Sequence, residues 1–347
     1  MQENISIRRP LGAASVAAVG ALILGGCSAQ ANSSDAPDPR DEVTFALDWA
    51  PNTNHIGVYV ADALGYFADA GLDVEILPYA STAVPDLVSA GAADFGSAGQ
   101  AGVQLARSAG RDVVSVFQVT QTDTGQVVFL GDRDDITRPA DLDGLVFGGF
   151  GSPLYSALAR AVAVDDDGTG EFEEVVLDTG AYEALSQGRI DFTLSVSTWE
   201  DIQTELDGHP YASFRYQDFG VPDVQSTGIV SSDAFLENNP DEARAFVGAV
   251  QRGYAYAAEN PDDAADLLIE ANPDTLGEAD ELVTRSTRLL AERYFVADGV
   301  EIGEAVPEKW EEFGAFLIEN GVVTDGSGET LTEAPDWSAY YTNDFLG

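Results

Sequence analysis

Lysine is almost missing from this chain of 347 residues. Lys309 is the only one, and arginine raises the basic total to 16 against 60 acidic residues, for a formal charge of -44. Such a surface repels phosphate backbones and anionic headgroups, which argues against nucleic-acid binding and against charge-driven membrane docking. Histidine is nearly as scarce: His55 and His209 are the only two, too few for a multi-histidine metal site. The single cysteine, Cys27, rules out an intrachain disulfide and any cysteine-cluster metal centre. No G-x-S-x-G elbow is present, and the glycine-rich run 148–152 (GFGS preceded by Gly148) lacks the Lys-Ser/Thr ending of a P-loop. No metal and no cofactor is expected. The apolar content of 45 % still supplies sizeable cores, and the length suits about two domains.

The N-terminus accounts for the lone cysteine. Arg8 and Arg9 precede an uncharged apolar stretch at 11–24, closed by Leu24-Gly25-Gly26-Cys27. The stretch has the layout of a cleavable export signal and is short for a membrane span. Leu-Gly-Gly-Cys resembles the bacterial lipobox, which implies that residues 1–26 are removed and that Cys27 becomes the lipidated first residue. Residues 27–40, rich in Ser, Ala, Pro and Asp, then read as a lipid-anchored flexible tether. Export, by the general or the twin-arginine route, would leave the protein anchored on the outer face of the bacterial cytoplasmic membrane.

From Val43 onward the pattern alternates strand and helix. Residues 43–47 (VTFAL) read as a strand, and 55–71 as one helix with Ile56, Val60, Ala63, Leu64 and Phe67 on a face and Gly71 as its stop. Further strands are expected at 73–77, 93–96 and 113–118, and again at 145–148, 174–177 and 191–195, with helices between them. Beyond residue 230 the chain reads as mostly helical. This alternation argues for an α/β protein with largely parallel sheets. Two extended apolar segments, 126–130 and 228–230, read as crossovers. They predict a discontinuous first lobe, 41–128 plus 229–347, with residues 129–228 as the second lobe and a ligand cleft between them.

In open α/β sheets, ligands bind beyond the carboxyl ends of strands. The loops there are 48–55 and 97–100 in the first lobe, and 148–153, 178–182 and 197–201 in the second. They place Gln100 and Gly151 among the ligand-binding candidates, and they contain no lysine or arginine. A sulfonate, phosphate or carboxylate usually calls for arginine or exposed backbone N–H groups. Trp49, Phe150, Tyr182 and Trp199 better suit a flat heteroaromatic ring, with Glu200 or Asp201 accepting from an exocyclic amine. Trp49, Phe150 and Trp199 have core packing as a plainer alternative, and Glu200 or Asp201 have helix capping. His55 reads equally as a ligand contact or as a local cap.

These residues carry a family resemblance. LDWAPNTNHIGVYVADALGYFADAGLDVEI (47–76), FGGFGSPLYSALARA (147–161) and RIDFTLSVSTWEDIQTEL (189–206) resemble the thiamine-pyrimidine-synthesis-like solute-binding proteins of ABC importers. The resemblance implies a periplasmic-binding-protein type II fold and a monomer that delivers a small molecule to an ABC permease and its ATPase. It further implies Trp49, Asn52, His55, Phe150, Ser152, Tyr182, Trp199 and Glu200 as ligand-facing. The ligand implied first is a thiamine pyrimidine precursor of the formylaminopyrimidine type, with riboflavin or a taurine-like sulfonate as alternatives. The run Ser195-Val196-Ser197-Thr198 is less aromatic than that branch carries before its Trp. The superfamily also contains enzymes that build the pyrimidine from a histidine and pyridoxal phosphate. That reading needs a lysine for the cofactor aldehyde, and Lys309 lies outside every candidate loop, so the expectation is a binding protein and no enzyme.

Overall fold

The computed structural model describes residues 41–347; Cys27, the export signal and the tether lie outside them. Ten strands lie among the described residues: β1 Asp41–Ala46, β2 Leu72–Leu77, β3 Phe95–Ser97, β4 Val114–Gln118, β5 Gly125–Leu130, β6 Val146–Gly149, β7 Glu173–Val176, β8 Thr193–Val196, β9 Tyr211–Arg215 and β10 Gly228–Ser231. The first sheet runs β2-β1-β3-β10-β4. β1 is parallel to β2 and β3, whereas β10 is antiparallel to both β3 and β4.

The second half repeats this plan. β5 lies antiparallel between β8 and β9, and β6 pairs parallel with β7. Backbone bonds from Gly148 N to Phe192 O (3.0 Å) and from Asp191 N to Val146 O (2.9 Å) join the two small sheets. The run is then β7-β6-β8-β5-β9. In each lobe, therefore, one buried strand that arrives from the other lobe sits antiparallel between two others. The sheets are mixed rather than largely parallel, because a strand fed in across the gap enters from the opposite end.

This placement corrects the expected crossovers. Residues 126–130 and 228–230 were expected to span the lobes, yet β5 and β10 are paired along both edges inside their sheets. The connections are residues 119–124 and 216–227, which bond to each other: Val119 N to Thr227 O at 2.8 Å, and Thr227 N to Thr120 Oγ1 at 3.0 Å. The expected single helix at 55–71 is also divided. Its parts are Ile56–Ala63 and Tyr66–Asp69, and Gly65 between them has a left-handed φ of 73°. β9 had no expectation, since a half-exposed edge strand carries little apolar signal.

The first-lobe core is built by the long helix Pro240–Glu259 lying across Ile56–Ala63 and the sheet. Phe246 stacks on Phe95 at 4.0 Å and on Phe67 at 5.4 Å between ring centroids. Glycines allow the two helices to touch through their backbones: a Cβ on Gly253 would sit 2.0 Å from the carbonyl oxygen of Gly57. Gly253→Ala should therefore destabilise the protein by about 1–3 kcal/mol through overpacking. Gly248→Ala, on the same helix but with open space around it, should be neutral or stabilising by up to about 1 kcal/mol. Chemical denaturation of the two variants checks the contrast.

Candidate functional site

The loop after β1 is stapled from beneath. Asn52 caps the short turn Thr53–His55, with its Oδ1 accepting from Asn54 N at 2.8 Å and its Nδ2 donating to Ala50 O at 3.0 Å. His55 is wholly buried, and Asn52 N donates to its Nδ1 at 3.4 Å. That bond makes Nδ1 the acceptor, so Nε2 carries the proton and donates to Asp48 Oδ1 at 2.8 Å. Of the two readings of His55 the structure favours the local one: both ring nitrogens are engaged within the loop. What the staple presents outward is Asp48, its side chain 47 % exposed, and Trp49, 46 % exposed beside Tyr79 at 5.5 Å.

The loop after β3 carries the expected candidate Gln100 inward. Gln100 is fully buried; its Oε1 accepts from Gln225 N at 3.1 Å and its Nε2 donates to Lys309 O at 2.9 Å. It ties a connecting segment to the first lobe and has no free amide atom for a ligand.

In the second lobe, Phe150 lies between Tyr155 and Tyr182, with centroid distances of 5.4 and 5.9 Å. Gly151 turns the loop with a left-handed φ of 79°, and a side chain there would press on Val176. Ser152 precedes the helix Pro153–Asp165 in extended conformation, and its hydroxyl makes no capping bond. Trp199 stands before the helix Glu200–Leu206, half-buried, and packs against the first-lobe core rather than within its own lobe. Beside it, Ser197 Oγ lies 3.2 Å from Tyr294 OH of the first lobe. Glu200 Oε2 accepts from Val196 N at 3.2 Å, and Asp201 accepts from Ser195 Oγ at 2.8 Å and from Gln126.

Burial governs the charges here. It raises the carboxyls of Glu200 and Asp201 above their ordinary range. Burial first, and then Glu200, pushes the Tyr211 hydroxyl up to about 12 and raises Tyr182 further still. Tyr155 is raised by burial and by Asp48 and Asp178. Neutral tyrosines in such positions donate hydrogen bonds. Among the described residues, none of the ion pairs to lysine or arginine engages Asp48, Asp178, Glu200 or Asp201. The arrangement suits a flat ring with amine donors, and it repels an anion.

The structure thus brings together Phe150, Gly151, Ser152, Tyr182 and Glu200, with Trp199 at the junction of the lobes. Trp49 reaches out from the other side, Asn52 and His55 support its loop, and Gln100 stands apart. Sequence reasoning passed over Asp48, Tyr155 and Tyr211. Tyr155 was legible three residues after Ser152, on the first turn of the same helix. Tyr211 was not, because β9 itself was missed.

Two α/β lobes, each with an inserted antiparallel strand and a cleft between them, define the periplasmic-binding-protein type II fold. The family model described as NMT1/THI5 like matches residues 52–264, and the chain belongs to that family. It is 31 % identical to the formylaminopyrimidine-binding protein of Halalkalibacterium halodurans, over 90 % of this chain and 96 % of that one. It is 23 % identical to the 4-amino-5-hydroxymethyl-2-methylpyrimidine phosphate synthase THI13 of Saccharomyces cerevisiae, over 67 % of this chain and 72 % of that one. The alkanesulfonate-binding protein SsuA from Xanthomonas axonopodis pv. citri, solved with MOPS, shares the fold with a TM-score of 0.64 at 13 % identity, covering 87 % of this chain and 98 % of that one.

Asp123 lies buried in the outgoing connection, where Gly125 N donates to its Oδ1 at 2.9 Å. Burial pushes its carboxyl up to about 6 despite that bond, and Asp223 adds to the rise. The folded protein thus holds this proton more tightly than the unfolded chain does. The associated stability is fully present below about pH 4 and lost as pH rises through about 6, up to about 3 kcal/mol. Asp123→Asn should gain stability relative to wild type between pH 4 and pH 7. Melting both proteins across that range checks the sign.

Proposed function

We propose that this chain is the extracytoplasmic solute-binding lipoprotein of an ABC importer. It captures a small heteroaromatic amine of the formylaminopyrimidine type and hands it to the permease and its ATPase. The lobes are 41–118 plus 228–347 and 125–215, joined by the segments 119–124 and 216–227; Cys27 carries the anchoring lipid, and the protein acts as a monomer. The observation that carries this reading is the cleft chemistry: Phe150, Tyr155 and Tyr182 beside the carboxylates of Glu200 and Asp178, neither of which pairs with a lysine or arginine among the described residues. A protonated or amine-bearing ring gains both stacking and charge-assisted hydrogen bonds there. The name of the Halalkalibacterium halodurans relative points to the same ligand class.

Trp49, Phe150, Gly151, Ser152, Tyr182, Trp199 and Glu200 are the residues assigned to contact the ligand. Asn52, His55 and Gln100 act from behind, by holding the loops. No covalent step is needed. The synthase reading would require a lysine free to take the aldehyde of pyridoxal phosphate and a reactive histidine. Lys309 is tied to Asp223 and to Gln121 O, and His55 is tied at both nitrogens. These residues do not fit that cofactor.

Calorimetric titration of the purified protein with formylaminopyrimidine, riboflavin and taurine tests the proposal. Micromolar or tighter binding of the pyrimidine is expected, without turnover. Binding of riboflavin or taurine alone would overturn the ligand class, and silence with all three would overturn the receptor reading. Trp49→Ala should weaken pyrimidine binding by about 1–3 kcal/mol. Glu200→Gln should weaken it by a similar amount, about 1.5–3 kcal/mol for a charge-assisted bond.

A further inference from the structure

The two connecting segments are held to the first lobe along most of their length. In the returning segment, Gln225 donates through its Nε2 to Gln121 Oε1 and to Glu304 O, each at 2.8 Å, and its Oε1 accepts from Val306 N at 2.9 Å. In the outgoing segment, Gln121 N donates to Tyr294 O at 2.6 Å. The outermost attachment of both segments is a single group, the ammonium of Lys309 on the helix Pro307–Glu319. It donates to Gln121 O at 2.5 Å and pairs with the carboxylate of Asp223.

Asp223 is in turn the node between the segments. Its Oδ1 accepts from Thr122 Oγ1 at 2.8 Å and from Asp123 N at 2.9 Å. It also accepts from Gln217 Nε2 at 2.7 Å, which lies on the second-lobe side. Two glycines border the node: Gly220, with a left-handed φ of 70°, and Gly125, which opens β5 two residues after Asp123.

We propose that Lys309 is the positioning residue of the lobe hinge. By fixing Gln121 and Asp223 to the first lobe, it confines bending to residues 123–125 and 219–222, and so sets how the second lobe meets the ligand. This rests on the solute-binding reading, but the pivot itself can be observed without ligand. The charge pattern suits the role. Asp223, side chain 34 % exposed, pairs with Lys309 and, among the described residues, with no other cation. A neutral residue at 309 would leave Gln121 N and Gln225 still bonded to the first lobe, but would free Asp223 and Gln121 O from the helix.

The test uses spin labels at Gln203→Cys and Glu237→Cys, both exposed and one in each lobe, in a chain whose Cys27 is replaced by Ser. Distances between them are read by double electron–electron resonance. Lys309→Met should broaden the distance distribution about twofold relative to Lys309, by releasing the pivot. Lys309→Arg, which keeps the charge, should stay near wild type. Asp223→Asn, which keeps the neutral acceptor for Thr122 and Asp123, should broaden it like Lys309→Met and carries the test if that variant does not fold. Wild-type distributions in folded Lys309→Met or folded Asp223→Asn would overturn the proposal. With a bound pyrimidine, Lys309→Met should also release ligand about tenfold faster. A wild type that binds none of the ligands would overturn the solute-binding reading alone, since the distance measurement needs no ligand.

Discussion

The bond between the two connecting segments is the constraint on which the rest of the molecule depends. Val119 to Thr227 and Thr227 to Thr120 make them a short two-stranded waist. Each segment then delivers a buried strand, β5 or β10, into the middle of a sheet. The cleft exists because the chain crosses twice at one place and nowhere else in the backbone path. Everything that faces the cleft comes from loops at the ends of strands that these two insertions hold in register.

Charge and burial act together at that cleft. The chain is acidic throughout, yet most of the basic side chains among the described residues pair elsewhere, such as Arg133 with Asp135 and Asp191, or Arg288 with Asp262. The carboxylates among the tyrosines are left without such partners. Burial makes them hold protons more tightly and makes them costly as bare anions. A ligand that brings N–H donors relieves that cost as it enters, which couples affinity to the removal of water from the carboxylates.

Most elements were legible because apolar spacing and punctuation agree in them. The helical reading beyond residue 230 holds, for instance, in Pro240–Glu259, opened by Pro240 and followed by Asn260 and Pro261. The loops of the site were legible from their position after strands and from the motif residues around Trp49, Phe150 and Trp199. What could not be read was pairing. β5 and β10 look like any buried apolar run, and only three-dimensional partners show that they belong inside sheets rather than between lobes. Nor does sequence show which side of a loop faces the core: the side chains of Asn52, His55 and Gln100 bond within their own loops or to connecting segments.

The insertion of β10 between β3 and β4 also dictates an order of assembly. Those two strands are complete once Gln118 has been made, but they cannot form their final neighbours until Gly228 follows. The whole of the second lobe is made in the interval. The inserted lobe can therefore close locally, while the first waits for its missing middle strand. Such long-range pairing slows folding, and a chain that crosses a membrane unfolded would emerge with its first-made sheet as the last to be finished.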